Sequence, residues 1–377
     1  MQLAVVAAGF SPGEADQLRR AMAAWRRRGG LAPFEERLIS GMRERGYDEG
    51  FARQIYQQIQ GFGDYGFPES HSASFAFLVY VSAWLKCHEP AVFTCALLNS
   101  QPMGFYAPSQ LVQDARRHGV DVLPVDVATS FWDCTLEKND SGKLTLRLGL
   151  RMIKGFGQAS AEVLTAARAA TPFTGITDLV RRTRLARQDM NRLAGAGALE
   201  GMAGNLHKAH WRVLGVEAPL PLLDIPRFSE GDPMLPVPGE GQNLVADFRS
   251  LGLTLGRHPL ALLRAHLASL RMATAADIRR CRHGEQVRAA GIVINRQRPS
   301  TASGVIFMTL EDETGYINVV VWPWVVERQR REVVGSRMVG IHGTIEREGE
   351  VVHLVVNRIT DLTHLPGRLH TTSRDFS

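Results

Sequence analysis

The sequence is poor in the residues from which self-contained catalytic sites are made. Its four cysteines, Cys87, Cys95, Cys134 and Cys281, stand far apart and form no C-x-x-C pair. That spacing argues against a zinc site and against the disulfide framework of a small secreted domain. No run approaches the roughly 18 apolar residues that a membrane span needs. The apolar stretch Leu3–Ala8 lacks the basic flank of an export signal. No Asp-x-Asp pair, Walker loop, Ser-His-Asp grouping or His/Cys ligand spacing stands out, although phosphoryl transfer needs clustered carboxylates to hold two metal ions. Glu311-Asp312-Glu313 is the nearest acidic cluster, and it falls at a strand–turn junction. These absences point to a reducing, cytoplasmic protein with no membrane contact, and to a chain with no active site of its own.

What is present is a folded chain with a basic balance. With 377 residues, two to four domains are expected. The composition, 45% hydrophobic and 22% charged, is that of a packed protein. The net charge of +6 fits a polyanionic partner without requiring one.

Helical spacing dominates the first part. Ser11-Pro12-Gly13-Glu14 has the order of an N-cap, a first-turn proline and an acid. It predicts a helix that ends at Trp25-Arg26-Arg27-Arg28, before Gly29-Gly30. Helices are also expected at about 33–45, with Phe34, Leu38 and Met42 on one face, and at 49–60. Gly61–Pro68 has three glycines and a proline and reads as a shaped loop. The segment 75–86 reads as a helix apolar nearly all round and central to its domain. Period-two alternation flanks Asn139-Asp140-Ser141-Gly142, a small hairpin. Pro219–Gln242 is the best linker. Beyond Gln286 five strands are expected, at Val287–Asn295, Val305–Leu310, Tyr316–Trp322, Arg337–Glu346 and Val351–Ile359, with a helix at Val325–Glu332 after the third. That is the order of an OB fold. The fold class is therefore multidomain α+β, mostly helical at first and ending in an all-β barrel.

The strongest chemical signal is Ile153-Lys154-Gly155-Phe156-Gly157. A hydrophobic-x-Gly-x-Gly turn that opens a helix exposes backbone N–H groups where a phosphate oxygen fits, and glycine lets a DNA backbone approach. This is the helix-hairpin-helix pattern. Leu193-Ala194-Gly195-Ala196-Gly197-Ala198 is a degenerate second copy, and the pair fits tandem hairpins on duplex DNA. Each is also compatible with an ordinary glycine-ended helix turn. On the barrel, Arg296, Arg298, Phe307, Tyr316, Trp322 and Arg347 are candidates for stacking and pairing with a single strand, or for plain packing. Arg19-Arg20 and Arg26-Arg27-Arg28 form either a patch for phosphates or a solvated face. His71 and Ser72 open a helix, where an anion or a simple cap would fit.

Longer stretches carry a family resemblance. Gly61-Phe62-Gly63-Asp64-Tyr65-Gly66-Phe67-Pro68-Glu69-Ser70-His71-Ser72, with Trp84-Leu85-Lys86-Cys87-His88-Glu89-Pro90 and Ala96-Leu97-Leu98-Asn99-Ser100, resembles the fingers of bacterial C-family DNA polymerases. The run from Gln101-Pro102-Met103-Gly104 to Gly119 and the segment Ser373-Arg374-Asp375-Phe376 resemble the error-prone DnaE-type branch. The resemblance covers essentially the whole chain. It implies partial fingers at 1–128, tandem helix-hairpin-helix at 129–215, a linker and short helices at 216–270 and the OB domain at 271–377. It implies error-prone, template-directed DNA synthesis in damage tolerance, and as partners primer–template DNA, dNTP, ImuA/ImuB-type mutasome proteins and, through them, the sliding clamp.

Carried over by position, Arg19 and Arg20 lie near the nucleotide phosphates, Ser70, His71 and Ser72 in the nucleotide-facing loop, and Lys154, Gly155 and Gly157 in the duplex hairpin. Mg²⁺ is expected in a palm that precedes Met1, so the chain would bind DNA and nucleotide without joining them. Pro68-Glu69 replaces an Asn-Lys of the replicative relatives, and Ala23-Ala24-Trp25-Arg26 replaces a glycine and lysines. Both changes put the grip on nucleotide in doubt. A stand-alone DNA-binding module and a piece of the replicative subunit are the alternatives. The latter would be favoured by a clamp-binding motif in the linker, and none is evident.

Overall fold

The computed structural model describes residues 2–23, 32–64, 69–103, 106–216, 233–299, 303–367 and 374–376. They belong to two compact units, Met1–His88 and Glu89–Ser377. Among the described residues no helix is long and apolar enough to cross a membrane.

The first unit is helical: α1 (Gln2–Ala8), α2 (Pro12–Ala23), α3 (Ala32–Glu44), α4 (Glu49–Asp64) and α5 (Glu69–His88). The start of α2 is a reciprocal cap. The Ser11 amide donates to the Glu14 carboxylate at 2.7 Å, and the Glu14 amide donates to Ser11 Oγ at 3.2 Å. Leu38 and Met42, one turn apart on α3, join Ala8, Phe10, Leu18 and Tyr56 in the core.

Two expectations fail in this unit. Helix α4 runs on through Gly61 and Gly63 to Asp64. A helical glycine costs only about 1 kcal/mol against alanine and need not end the helix; Tyr65–Pro68 lie outside the described residues. Helix α5 is not central either, since Phe77, Leu78, Val79 and Tyr80 are 55% to 70% exposed. An all-round apolar helix signals a need for cover, not which element supplies it.

The second unit opens with α6 (Pro90–Asn99) and α7 (Pro108–Arg117), followed by a sheet of β1 (Val122–Leu123), β2 (Thr135–Lys138) and β3 (Leu144–Arg147). The predicted hairpin turn forms because Asn139 Oδ1 accepts the amides of Ser141 and Lys143. A 3₁₀ turn, Leu150–Met152, leads to α8 (Gln158–Ala170), α9 (Ile176–Thr183), α10 (Arg187–Gly195), α11 (Glu200–Ala203) and α12 (Leu206–Gly215). One core holds them, with Leu98, Leu146, Ile153, Phe156, Leu164, Leu179 and Leu193 at its centre. Of the predicted linker, 219–232 lies outside the described residues. Helices α13 (Glu240–Ser250), α14 (Pro259–Ser269) and α15 (Ala275–Ile278) then lead to the barrel.

The barrel comprises β4 (Gln286–Gln297), β5 (Ile306–Asp312), β6 (Gly315–Val321), α16 (Pro323–Arg328), α17 (Arg330–Gly335), β7 (Met338–Glu348) and β8 (Val351–Asp361). A further strand, β9 (Arg374–Phe376), is added at its edge. The strand order β5-β6-β8-β7-β4 closes through a β4–β5 pairing, and β6–β8 is parallel. This is the five-stranded OB barrel that the sequence predicts. Alternating Met308, Leu310, Ile317, Val319 and Val321 fill it. The helix expected at 325–332 is two short ones that meet at Gln329, whose amide side chain bonds both main-chain groups of Ile359.

Candidate nucleic-acid interface

The first hairpin is built by burial on either side of a glycine. Ile153 and Phe156 are held in the core, and Gly155 between them turns the chain at φ +75°. Gly157 caps α8 in extended conformation, and a Cβ added there would meet nothing within 4 Å. The first internal bond runs from the Ala161 amide to the Gly157 carbonyl. The amides of the first turn before it therefore face outwards, at the positive end of the helix dipole.

Beside them stands Arg192, which the local sequence pattern does not mark. Its guanidinium lies 3.2 Å from the position a Gly155 Cβ would occupy. Asp189 orients it at 2.7 Å, and the other Asp189 oxygen accepts Ser160 Oγ, in the first turn of α8, at 2.7 Å. The result is an open, amide-lined notch with one cation beside it.

Three of the sequence candidates in this region make bonds within the fold. Lys154 is tied into the fold: its Nζ donates to the Phe248 carbonyl at 2.7 Å and its amide to Ser250 at 2.8 Å. It thereby caps α13, whose last carbonyls need donors, and burial there pulls its pKa down. Gly195 and Gly197 stand in a second hairpin whose amides are more fully used within the fold. The Ala198 amide donates to Leu193 and the Gly197 amide to Ala194, the closure of a glycine-ended helix. Ala196 and Ala198 are buried, and the Glu200 carboxylate lies 3.3 Å from the site of a Gly197 Cβ. Amides already bonded beside an acid do not suit a phosphate.

On the barrel, Phe307 pairs in register with Val320, and Trp322 follows the end of β6 as the N-cap residue of α16. Both are open, at 38% and 44% exposure. Trp324, which sequence analysis missed, is 50% exposed on α16. Arg298 is exposed and, with Val326, Glu327 and Arg330, lines a notch on the barrel. Tyr316 is corrected: the Arg117 guanidinium of α7 sits 4.6 Å from its ring centroid, and burial raises its hydroxyl pKa. Arg296 is corrected too. It is 8% exposed and donates from Nε to the Val333 carbonyl at 2.8 Å, and from Nη2 to Ser336. Arg347 is likewise structural, donating to the carbonyls of Cys281 and Arg279.

In the first unit, Arg19 and Arg20 are exposed on α2 and share Asp16, at 2.9 and 2.5 Å. The hydrogen bonds from Arg20 and Arg19 hold the Asp16 carboxyl below its usual range. Ser72 is exposed on α5. The side chains of Ser70 and His71, and the whole of Arg26-Arg27-Arg28, lie outside the described residues.

Three family models match in the order of the chain: a bacterial DNA polymerase III alpha subunit finger domain at 1–46, a helix-hairpin-helix motif at 119–209 and an OB-fold nucleic acid binding domain at 287–362. An error-prone DNA polymerase of Alkalilimnicola ehrlichii is 58% identical over 376 residues, covering 100% of this chain and 37% of that one. Those of Dechloromonas aromatica and Methylococcus capsulatus are 57% and 54% identical, again over 100% of this chain and over 36% and 38% of theirs. The chain belongs to the error-prone DNA polymerase family. It spans little more than a third of the length of these relatives.

DNA polymerases use divalent metal ions for phosphoryl transfer, and the described residues of this chain do not fit one. Asp312 accepts the amides of Ala275, Thr314 and Gly315 at 2.7, 2.7 and 3.0 Å. Glu313 is held by Arg264 at 2.8 Å, and Glu311 faces His258 at 3.4 Å. Every carboxylate of this acidic turn is committed to the fold. Among the described residues no group of three or more His, Cys, Asp or Glu is placed to hold a metal ion.

Proposed function

We propose that this chain is the DNA-gripping portion of an error-prone DNA polymerase that acts in translesion synthesis, repair and induced mutagenesis. The duplex part of the primer–template rests on the hairpin Ile153–Gly157, held by its phosphates without reading of bases. The unpaired template stacks on the outer barrel face at Phe307 and Trp322, with Arg298 nearby. In the first unit Arg19, Arg20, Ser70, His71 and Ser72 meet the phosphates of the incoming dNTP. Mg²⁺ acts in a palm outside this chain. The ImuA/ImuB-type mutasome proteins are its partners and the sliding clamp an indirect one, and it works in the cytoplasm.

The single observation that carries this reading is the open first hairpin. Gly155 supplies the positive φ, Gly157 leaves the approach clear, and Arg192, oriented by Asp189, adds a cation at that turn. The test is salt dependence. Affinity for primer–template DNA should fall steeply and log-linearly with salt, whereas a flat response would refute phosphate gripping. With dNTP and Mg²⁺ added, the chain alone should extend no primer.

Two substitutions probe the parts. Arg192→Ala should weaken binding alike on all duplex sequences and lower the salt slope by about one. An unchanged slope would place Arg192 outside the interface. Trp322→Ala should cost about 1–3 kcal/mol of single-strand affinity through lost stacking, measured by anisotropy with a labelled oligonucleotide.

A further inference from the structure

The outer face of the barrel carries three basic side chains in one line. Arg288 on β4 pairs in register with His342 on β7, and His342 with Arg358 on β8. All three are exposed, while their neighbours Ala289, Ile341 and Ile359 are buried in the barrel core. Among the described residues none of the three side chains makes a hydrogen bond or an ion pair. Strand spacing sets the two arginines about 10 Å apart, with the imidazole between them. When His342 carries a proton the line is three like charges directly opposed, an arrangement that costs a sheet stability.

A bulge builds a polar shelf beside this line. The register of β7 with β8 shifts between His342 and Gly343, so Asn357 and Arg358 are both exposed. Asn357 Nδ2 donates to Gln286 Oε1 at 3.2 Å and to Thr344 Oγ1 at 3.4 Å, and Gln286 Nε2 donates to the same hydroxyl at 2.6 Å. Gln286 and Thr344 also end the line that begins at Phe307. Phe307 pairs with Val320, Val320 with Val355, Val355 with Thr344 and Thr344 with Gln286. Neither line contains a carboxylate. From Phe307 on β5 to Arg358 on β8 is two strand spacings, about 10 Å along the sheet. On the other side of the basic line α14 covers the surface, with Leu260 and Leu267 packed among Ala290, Met338 and Leu362. The open neighbour of the basic line is therefore the line that holds Phe307.

We propose that Arg288, His342 and Arg358 form a phosphate-binding shelf that takes the backbone of the single strand next to the base stacked on Phe307. The assignment rests on the reading of the barrel as a single-strand grip and adds the route of the strand across it. Guanidinium groups only donate, and phosphate oxygens only accept. An exposed line meets a free phosphate from one side and in competition with water. A strand already stacked on Phe307 instead brings its phosphates there at a high effective concentration.

The test uses the full chain, an Arg288→Gln/Arg358→Gln variant, Trp322→Ala and a fluorescent oligo(dT) of about 12 nucleotides, within the site size of one OB fold. The double variant should bind at least about tenfold more weakly, with a salt slope lower by about 0.7 for each phosphate released. Trp322→Ala should weaken binding and leave the slope unchanged, since lost stacking releases no counterion. Undiminished affinity and slope in the double variant, with Trp322→Ala still weakened, overturn the shelf and leave the single-strand grip standing. If neither variant is weakened, the grip itself falls and the shelf with it. Inorganic pyrophosphate at matched ionic strength should displace little of the oligonucleotide, and full displacement would overturn the strand assignment in favour of a free phosphate. At low salt the double variant should melt no lower than the unsubstituted chain; a lower melt would mark the line as structural and overturn the proposal.

Discussion

Gly157→Val is expected to weaken duplex DNA binding about a hundredfold while the chain stays folded. The backbone at this position, φ −92° and ψ 149°, suits a β-branched residue, and an added Cβ meets nothing within 4 Å. The cost in the folded state is a poorer N-cap, at most about 1 kcal/mol. In the complex the added methyls would stand where a phosphate must approach the amides of the hairpin. Losing two charge-assisted bonds at about 1.5 kcal/mol each amounts to about 3 kcal/mol, close to two decades of affinity. Gly155→Val is less informative, since φ +75° penalises any side chain and its Cβ would press on Arg192. Anisotropy on a duplex, together with a thermal melt, separates the two effects. Unaltered affinity in a folded Gly157→Val chain would remove the hairpin from the interface.

The second large effect concerns stability. Arg296→Ala should destabilise the barrel by about 3–5 kcal/mol, because it deletes a buried cation and strands the carbonyls it serves. Those carbonyls, Val333 and Ser336, lie where α17 gives way to β7. Arg298→Ala, two residues on and exposed, should change stability by no more than about 0.5 kcal/mol and act on single-strand affinity alone. Urea unfolding followed by circular dichroism compares the pair, and equal midpoints for the two variants would contradict the assignment.

That contrast also marks where sequence legibility ends. Period-two alternation located all five barrel strands to within two residues, because one face of each is buried. The same alternation places Arg296 on the outer face of β4. The register shift at Val293/Asn295 adds a residue and reverses the parity beyond it, and no local pattern announced the shift. The two glycine hairpins are alike in spelling and differ in where their amides go: the Phe156 amide bonds Ile153 while those of Gly155 and Gly157 meet no main-chain acceptor, whereas those of both Gly197 and Ala198 are already bonded. Arg192 escaped notice because its neighbour, Gly155, is distant in sequence. Helix α5 was legible as a helix, but its exposure was not, since an apolar stretch carries no record of what covers it.

The most direct test of two separate DNA surfaces is one matrix of affinities. Duplex and single-stranded oligonucleotides of matched length are titrated with the unsubstituted chain, Gly157→Val and Trp322→Ala at one salt concentration. The expected result is a crossover, with Gly157→Val losing duplex binding and keeping single-strand binding, and Trp322→Ala doing the reverse. If both variants lose both ligands equally, or neither loses either, the hairpin and the barrel face are not the two grips described.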